Sequence, residues 1–436
     1  MIGKIGETHK IPLTVSDLSG YDTVVCGGGF AGAVAAMCAA ENGARVLLAE
    51  SGGELGGDIT KAIVPQILDT DGKGGCVREL FAFLNVGDHT SPRRGARYDP
   101  DGNKNHGSMV DLEYIKYYLD NRCRKAGVDI LYHSLVCGVE TDNDRITAVA
   151  ISTECGNYRA TANTFIDATG NGLTASLAGV PSECGHPLTG EPQPASTSVL
   201  VAGIPDNFAP VTDNASKLRL KQFFADAGIH VSAEWVTLVE SACDGIWLLT
   251  FNNQYHVLPD NPFALSEATS AARAECIRVI DEMRCLPGFE KLMLLSVSSH
   301  IGIREGRRIH GKYHLTVSDI VSGLRTEDAV CTVRFPVDIH HHPDDTTEHQ
   351  HGKKVIPYHL PFRALIAEGF RNLLLAGRCI SGDFYAHASY RAVGNVISTG
   401  EATGYAAAIA AKSHTDVAGL DGRMISAYMK SRGYEI

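Results

Sequence analysis

Three groups of residues in this chain have types and spacings that could do chemistry. Near the C-terminal end runs AGRCISGDFYAHASYRAVGNV (Ala376 to Val396), which crowds His387, Tyr385, Tyr390, Arg378 and Arg391 where a nucleotide-binding fold usually has small residues. The crowding reads either as a polar loop or as a reaction centre, in which histidine moves a proton and arginine holds an anion. A second group, HIGIREGRRIH (His300 to His310), contains His300, Arg304, Glu305, Arg307, Arg308 and His310. If Ser296 to Ile303 is a strand, alternation puts His300 and Arg304 on one face, while Arg307 and Arg308 pair with Glu305 and other acids. The third group, DIHHHPDDTTEHQHGKK (Asp338 to Lys354), sets His340, His341, His342, His349 and His351 beside Asp344 and Asp345. Adjacent histidines on an extended chain cannot all converge on one ion, and Pro343 in a polar run indicates a loop, either solvent-exposed or at a substrate rim. No metal site is expected.

The elements that position these groups must come from a chain of 436 residues, too long for one simple core, so two lobes are expected. Apolar residues at 44% and charged ones at 20% fit an ordinary globular protein. The balance of 39 basic against 50 acidic residues, a net charge of -11, gives no overall electrostatic reason to bind nucleic acid or an anionic membrane. A small-molecule partner is the better default. No apolar run approaches the roughly 20 residues that span a bilayer, and the polar start MIGKIGETHK lacks a signal-peptide core, so a cytoplasmic protein is expected. Twelve cysteines are scattered without a CxxC pair, which argues against iron–sulfur and structural zinc sites and for buried thiols.

The strongest local signal is YDTVVCGGGFAGAVAAMCAAENGARVLLAE. Thr23 to Cys26 reads as a buried strand, Gly27, Gly29 and Gly32 as GxGxxG, Ala31 to Ala40 as a helix of small residues, and Arg45 to Ala49 as a second strand ending at Glu50. Gly27 allows the tight turn, Gly29 lets a pyrophosphate approach the backbone, and Gly32 lets the helix pack on the sheet. The helix N-terminus offers free N–H groups to phosphate, and Glu50 stands where a carboxylate accepts hydrogen bonds from an adenosine ribose. An acid there argues against a 2′-phosphate. Both FAD and NAD satisfy this motif.

Further along, Asp111 to Ala126 reads as an amphipathic helix with Leu112, Ile115, Leu119 and Cys123 on one face, stopped by Gly127. Short β runs follow at Asp129 to Tyr132, Leu135 to Val139, Ile146 to Ile151 and Thr164 to Asp167, the last opening into DATG (Asp167 to Gly170). Near the other end, Asn372 to Gly377 forms an apolar strand and Gly394 to Ala411 a Gly/Ala-rich helix. Together these segments resemble the FAD-dependent oxidoreductases related to succinate dehydrogenase and fumarate reductase flavoproteins. More closely, HIGIREGRRIHGKYHL (His300 to Leu315) and AGRCIS (Ala376 to Ser381) resemble the FAD_oxidored family. The resemblance spans about residues 20 to 412.

The resemblance implies an α/β fold: a Rossmann-like FAD-binding domain of the glutathione-reductase type with an inserted mixed α+β substrate domain. Residues 20–185 would form the first part of the FAD domain, 186–325 the cap with both tryptophans, Trp235 and Trp247, and 326–436 the return. FAD would meet Gly27, Gly29, Phe30, Ala31 and Gly32 at the first turn, with Glu50, Ser51 and Gly57 after the second strand. Val136 and the turn Ala168, Thr169 and Gly170 would add to the site, as would Gly377, Arg378, Gly394, Asn395 and Val396. The covalent histidine of succinate dehydrogenase has no counterpart in the matching loop, SGGELGGDITKA (Ser51 to Ala62), so FAD is expected to be noncovalent. With no second GxGxxG, nothing suggests a separate NAD(P)H domain, and substrate and an unidentified electron donor or acceptor would use the flavin in turn.

By the same resemblance Arg391 matches an arginine that binds a substrate carboxylate, and His387, in the HxxxR position, becomes a candidate acid/base. Arg378 departs from the pattern, because related flavoproteins place there an acid that holds the ribityl chain, and a guanidinium cannot accept that hydrogen bond. The expected activity is hydride transfer between flavin N5 and a small polar substrate, an anionic one suiting the arginines. Arg391 and Arg304 would orient it, and His387 or Tyr385 would move the proton. A flavin oxidase using oxygen is one alternative. A flavin-containing redox-responsive or RNA-modification partner without turnover is another, against which the acidic balance counts for RNA.

Overall fold

A computed structural model describes residues 12–87, 89–90, 107–211, 214–258, 260–340 and 355–436. Its centre is a five-stranded parallel sheet in the order Leu373–Leu375, Thr164–Asp167, Thr23–Cys26, Val46–Ala49, Asp129–Leu131. The first four of these strands are buried at every residue, the pattern of a parallel sheet covered on both faces. In register, Cys26 lies beside Ala49 on one side and Asp167 on the other, and Asp167 lies beside Leu375. The loops that follow these four residues therefore leave the sheet along one edge, where ligands of open α/β sheets bind.

The helix Phe30–Glu41 covers one face and crosses the helix Val393–Ser413 at very short range. A Cβ on Gly400 or Gly404 would stand 2.4 Å from the Ala31 carbonyl oxygen or 2.3 Å from that of Ala35. The expected helix after Asp111 runs Leu112–Ala126, with the Asp111 side chain accepting from the Glu113 amide and Gly127 closing it in the left-handed region. It buries Ile115, Tyr118, Leu119 and Cys123. An antiparallel meander of Ser134–Asp142, Arg145–Thr153 and Gly156–Thr161, edged by Ser16–Leu18, lies between this sheet's strands in sequence.

The inserted region builds its own antiparallel sheet, ordered Thr237–Glu240, Ile246–Thr250, Val199–Ala202, Met293–Val297. The helices Asn214–Asp226 and Pro262–Arg284 accompany it, and Val199, Leu249, Phe251, Val279 and Phe289 belong to a second core. Ile309, Leu315 and Ile320 belong to the first core. The expected strand over Ser296 to Ile303 ends at Val297; beyond it Gly302 returns to pair with Ser196 in an isolated bridge. All twelve cysteines are free and seven are buried, as small hydrophobes are. Among the described residues no helix is long and apolar enough to cross a membrane.

Candidate active site

Where the strand ends converge they open a cavity of about 1080 Å³ that runs from the glycine turn to the inserted sheet. Its volume exceeds the roughly 300–1,000 Å³ of a single-ligand pocket, which leaves room for a cofactor and a substrate together. At one end Gly27 has φ +97°, and a Cβ there would meet the Ala168 carbonyl oxygen at 2.6 Å. Gly29 caps the helix Phe30–Glu41 without any side-chain cap, so the first N–H groups face the cavity. A Cβ on Gly29 would find no atom nearer than Gly57 Cα at 3.8 Å; it would project into the space an anion needs.

Glu50 is buried at the end of the second strand and accepts from the Gly28 and Gly52 amides, each at 2.6 Å, while pairing with Lys61. Burial alone would raise its pKa, but the Lys61 charge and the amide donors outweigh burial and hold it below the usual carboxylate range. The turn after Asp167 is fixed by that buried carboxylate, which accepts from Thr169 N at 3.0 Å, Thr169 Oγ1 at 2.7 Å and Ala175 N at 2.8 Å. Arg378 donates to Gly170 O at 3.2 Å and Asn171 Oδ1 at 2.9 Å and pairs with Asp58. Phe30, Ala31, Ser51, Gly57, Val136 and Val396 line the same space, as do Ala168 to Gly170 and Gly377 with Arg378.

The other end is polar and charged. Arg391 Nη2 donates to the Asp338 carbonyl at 2.9 Å and to its carboxylate at 3.1 Å, and His340 Nε2 lies 3.4 Å from the same carboxylate oxygen. Arg304 Nη1 donates to Pro194 O at 2.6 Å. All four of these side chains line the cavity, with Ser196, Ser198, Trp235 and Phe251 from the inserted region. Burial, then the charge of Arg304, push the His340 pKa down to about 4. Burial, then the charge of Arg391, bring Arg304 down to about 10, and burial also lowers Arg391. Burial works against the charge of Asp338, yet His340, Arg391 and Arg304 beside it hold its carboxyl far below the usual range. At neutral pH two guanidinium charges face one carboxylate and a neutral imidazole, so the cluster keeps an excess positive charge.

Residues 22–429 match the family described as FAD dependent oxidoreductase. The chain belongs to that family. It is a redox enzyme with FAD as its cofactor, and the glycine turn, the uncapped helix N-terminus and Glu50 fit the pyrophosphate and adenosine ribose. Among solved structures, this oxidoreductase is similar to p-nitrophenol 4-monooxygenase from Pseudomonas putida DLL-E4, at 13% identity and TM-score 0.50 over 95% of this chain and 84% of that one. It is also similar to a geranylgeranyl bacteriochlorophyll reductase-like protein from Thermoplasma acidophilum, at 16% identity and TM-score 0.49 over 97% and 85%. At such identities the first likeness speaks for a mixed α/β fold with a parallel sheet and for nothing about substrate.

Several expected site residues of the oxidoreductase lie elsewhere. His387 is fully buried in the helix Phe384–Tyr390, its ring 5.5 Å from that of Tyr390, and is not part of the cavity wall. Neither of its ring nitrogens makes a hydrogen bond of normal geometry, and burial with nearby Arg308, Arg391 and Arg378 drives its pKa well below the ordinary value. Tyr385 is turned to His186, with its hydroxyl 2.9 Å from Nε2, and also misses the cavity. Gly32 acts in packing, because a Cβ there would stand 1.8 Å from Gly27 O. The last helix begins at Val393, and its first turn presents Val393 and Val396 to the cavity; Gly394 abuts the Asp69 carbonyl and Asn395 is fully buried.

His300 and Arg304 both line the cavity, brought there by an irregular turn and not by strand alternation. Arg308 pairs with buried Glu305 and Arg307 with Asp260 at 3.8 Å, the expected structural roles, and Arg307 also reaches the cavity wall. Among the described residues no group of three or more histidine, cysteine or acidic side chains could hold a metal. His341, His342, Asp344, Asp345, His349 and His351 lie outside the described residues. Asp338 and His340, read in the sequence as part of a metal-like or substrate-rim loop, line the cavity, whereas that reading assigned them no part in proton transfer. The available signal was the D-x-H spacing, which sends both side chains to one side of an extended segment.

Proposed function

We propose that this oxidoreductase moves a hydride between flavin N5 and a small organic anion, at a C–H next to a hydroxyl, amine or carboxylate. The supporting observation is that Arg304 and Arg391 line the same cavity as the dinucleotide turns and leave an excess positive charge there. Bound FAD supplies a two-electron acceptor or donor. The first amides of the helix Phe30–Glu41 take its phosphates and Glu50 its adenosine ribose. Arg391 and Arg304 orient the substrate carboxylate, while Trp235 and Phe251 give it an apolar wall. In this reading the fold is of the glutathione-reductase type, related to succinate dehydrogenase and fumarate reductase flavoproteins, and FAD is noncovalent.

The test is anaerobic bleaching of the bound flavin by hydroxy and amino acids and by the matching amides. Carboxylates are expected to bleach it and amides not; equal bleaching by amides overturns the anchoring role of the arginines. Rapid reaction of the bleached flavin with oxygen would assign the enzyme to the oxidases instead. Acid precipitation should release the yellow colour into the supernatant.

A further inference from the structure

We infer that His340, oriented by Asp338, is the residue that exchanges the substrate's proton, an assignment that rests on the hydride-transfer reading above. His340 is held at two points. Its backbone N–H donates to Gln193 Oε1 at 3.2 Å, and its Nε2 faces the Asp338 carboxylate at 3.4 Å. Asp338 is in turn fixed by Arg391, which also lies 3.5 Å from Gln193 Oε1. A proton on Nε2, the nitrogen beside Asp338, leaves the ring's lone pair on Nδ1, and that nitrogen would take the substrate's proton. The charged groups facing the imidazole are Asp338, Arg391 and Arg304, from the return segment, the last helix pair and the turn after the inserted sheet. Two cations against one anion favour the neutral ring, the form a base needs, and Asp338 stabilises the imidazolium once formed.

The step balances as follows for an alcohol. The C–H bond breaks and its hydrogen leaves with both electrons to oxidised FAD, the O–H bond breaks and its proton goes to His340, and the carbon–oxygen bond becomes double. In reduction the same ring returns the proton as hydride arrives. Asp338 acts on the proton through the ring and is a positioning residue. His387 and Tyr385 cannot serve, because neither borders the cavity.

The holoenzyme, wild type and His340→Gln, is mixed anaerobically with a carboxylate that bleaches the wild-type flavin. His340→Gln should slow bleaching about 100-fold or more while the carboxylate still perturbs the flavin spectrum at similar concentration. The wild-type rate should fall as pH drops toward about 4, Asp338→Asn should move that fall to lower pH, and His340→Gln should flatten it. Undiminished bleaching in His340→Gln overturns the assignment and leaves the hydride-transfer reading standing. If no carboxylate bleaches the wild type, both fail. As a check independent of the variant's folding, diethyl pyrocarbonate should label His340 and not His387 in wild-type holoenzyme and abolish bleaching in step with that label. Full bleaching by His340-labelled enzyme overturns the assignment as well.

Discussion

Arg378 closes its guanidinium on Asp58, a residue 320 positions earlier in the chain. The same side chain holds Gly170 and Asn171, so one arginine ties together the loops that follow three strands of the parallel sheet. The guanidinium holds the walls of the site, which accounts for a basic residue at this position without a contact to the ribityl chain. Arg378→Met and Asp58→Asn should each speed FAD release about tenfold, since a hydrogen bond to a charged group contributes about 1.5–3 kcal/mol. The double variant should be no worse than the worse single one. Flavin fluorescence after dilution of the holoenzyme measures this, and additive effects would mean that the two residues act separately.

What the sequence revealed follows the range of the forces involved. The glycine turn, its helix and Glu50 obey rules that operate within thirty or so residues, and the strand Thr23–Cys26 and helix Phe30–Glu41 lie where those rules put them. His387 and Arg391 stand four apart, which on a continuing helix shares a face; but Arg391 is the C-cap. The chain turns at Arg391 and sends it to Asp338, leaving His387 against Tyr390 in the core. Asp338 and His340 were obscured by the histidines that follow them and by a partner 53 residues away. Arg378 was unreadable for the same reason at greater distance, because nothing local announces Asp58.

Two glycines of the fingerprint should separate binding from folding. A Cβ on Gly29 has 3.8 Å of clearance and enters the cavity, whereas one on Gly32 would collide with Gly27 O at 1.8 Å. Gly29→Ala should therefore keep the thermal midpoint of the apoprotein while weakening FAD at least tenfold. Gly32→Ala should cost about 1–3 kcal/mol or more of stability, the usual toll of overpacking. Thermal melts and FAD titration of both variants check the contrast; equal loss of midpoint would remove it.

Acid should unfold this protein partly through two histidines of depressed pKa, the partly exposed His340 and the buried His387. His340 is pushed down to about 4 and His387 well below its ordinary value, while both titrate near pH 6.5 in the unfolded chain. The unfolded state then binds protons that the native state refuses, so the stability present in full above about pH 6.5 is lost as pH falls toward the native values. Buried His387 contributes about 1.4 kcal/mol per pH unit across its window, and the partly exposed His340, screened by water, contributes less. His387→Leu removes a buried ring whose nitrogens make no hydrogen bond of normal geometry and should make the acid slope shallower by about one histidine's share. Urea midpoints at about pH 7.5 and pH 5 report the change, and an unchanged slope would mean that His387 is already protonated in the native state.

The charge of Arg304 should be readable at His340 without any substrate. After burial, Arg304 is the largest influence holding that imidazole down near 4, and Arg391 adds to it while Asp338 opposes. Arg304→Met removes a cation from the cavity wall without touching the contacts between Asp338, His340 and Arg391. The His340 midpoint should then move up from about 4 toward its ordinary value, and the ring should become partly protonated in mildly acidic buffer. Diethyl pyrocarbonate attacks the neutral ring alone, so the pH dependence of His340 labelling, located by peptide mass, gives the midpoint directly. An upward shift in Arg304→Met, with labelling of the exposed His256 unchanged, would establish that the two side chains share one electrostatic site. A midpoint that stays in place would mean that cavity water screens Arg304 from the ring, and with it the excess charge on which anion binding depends.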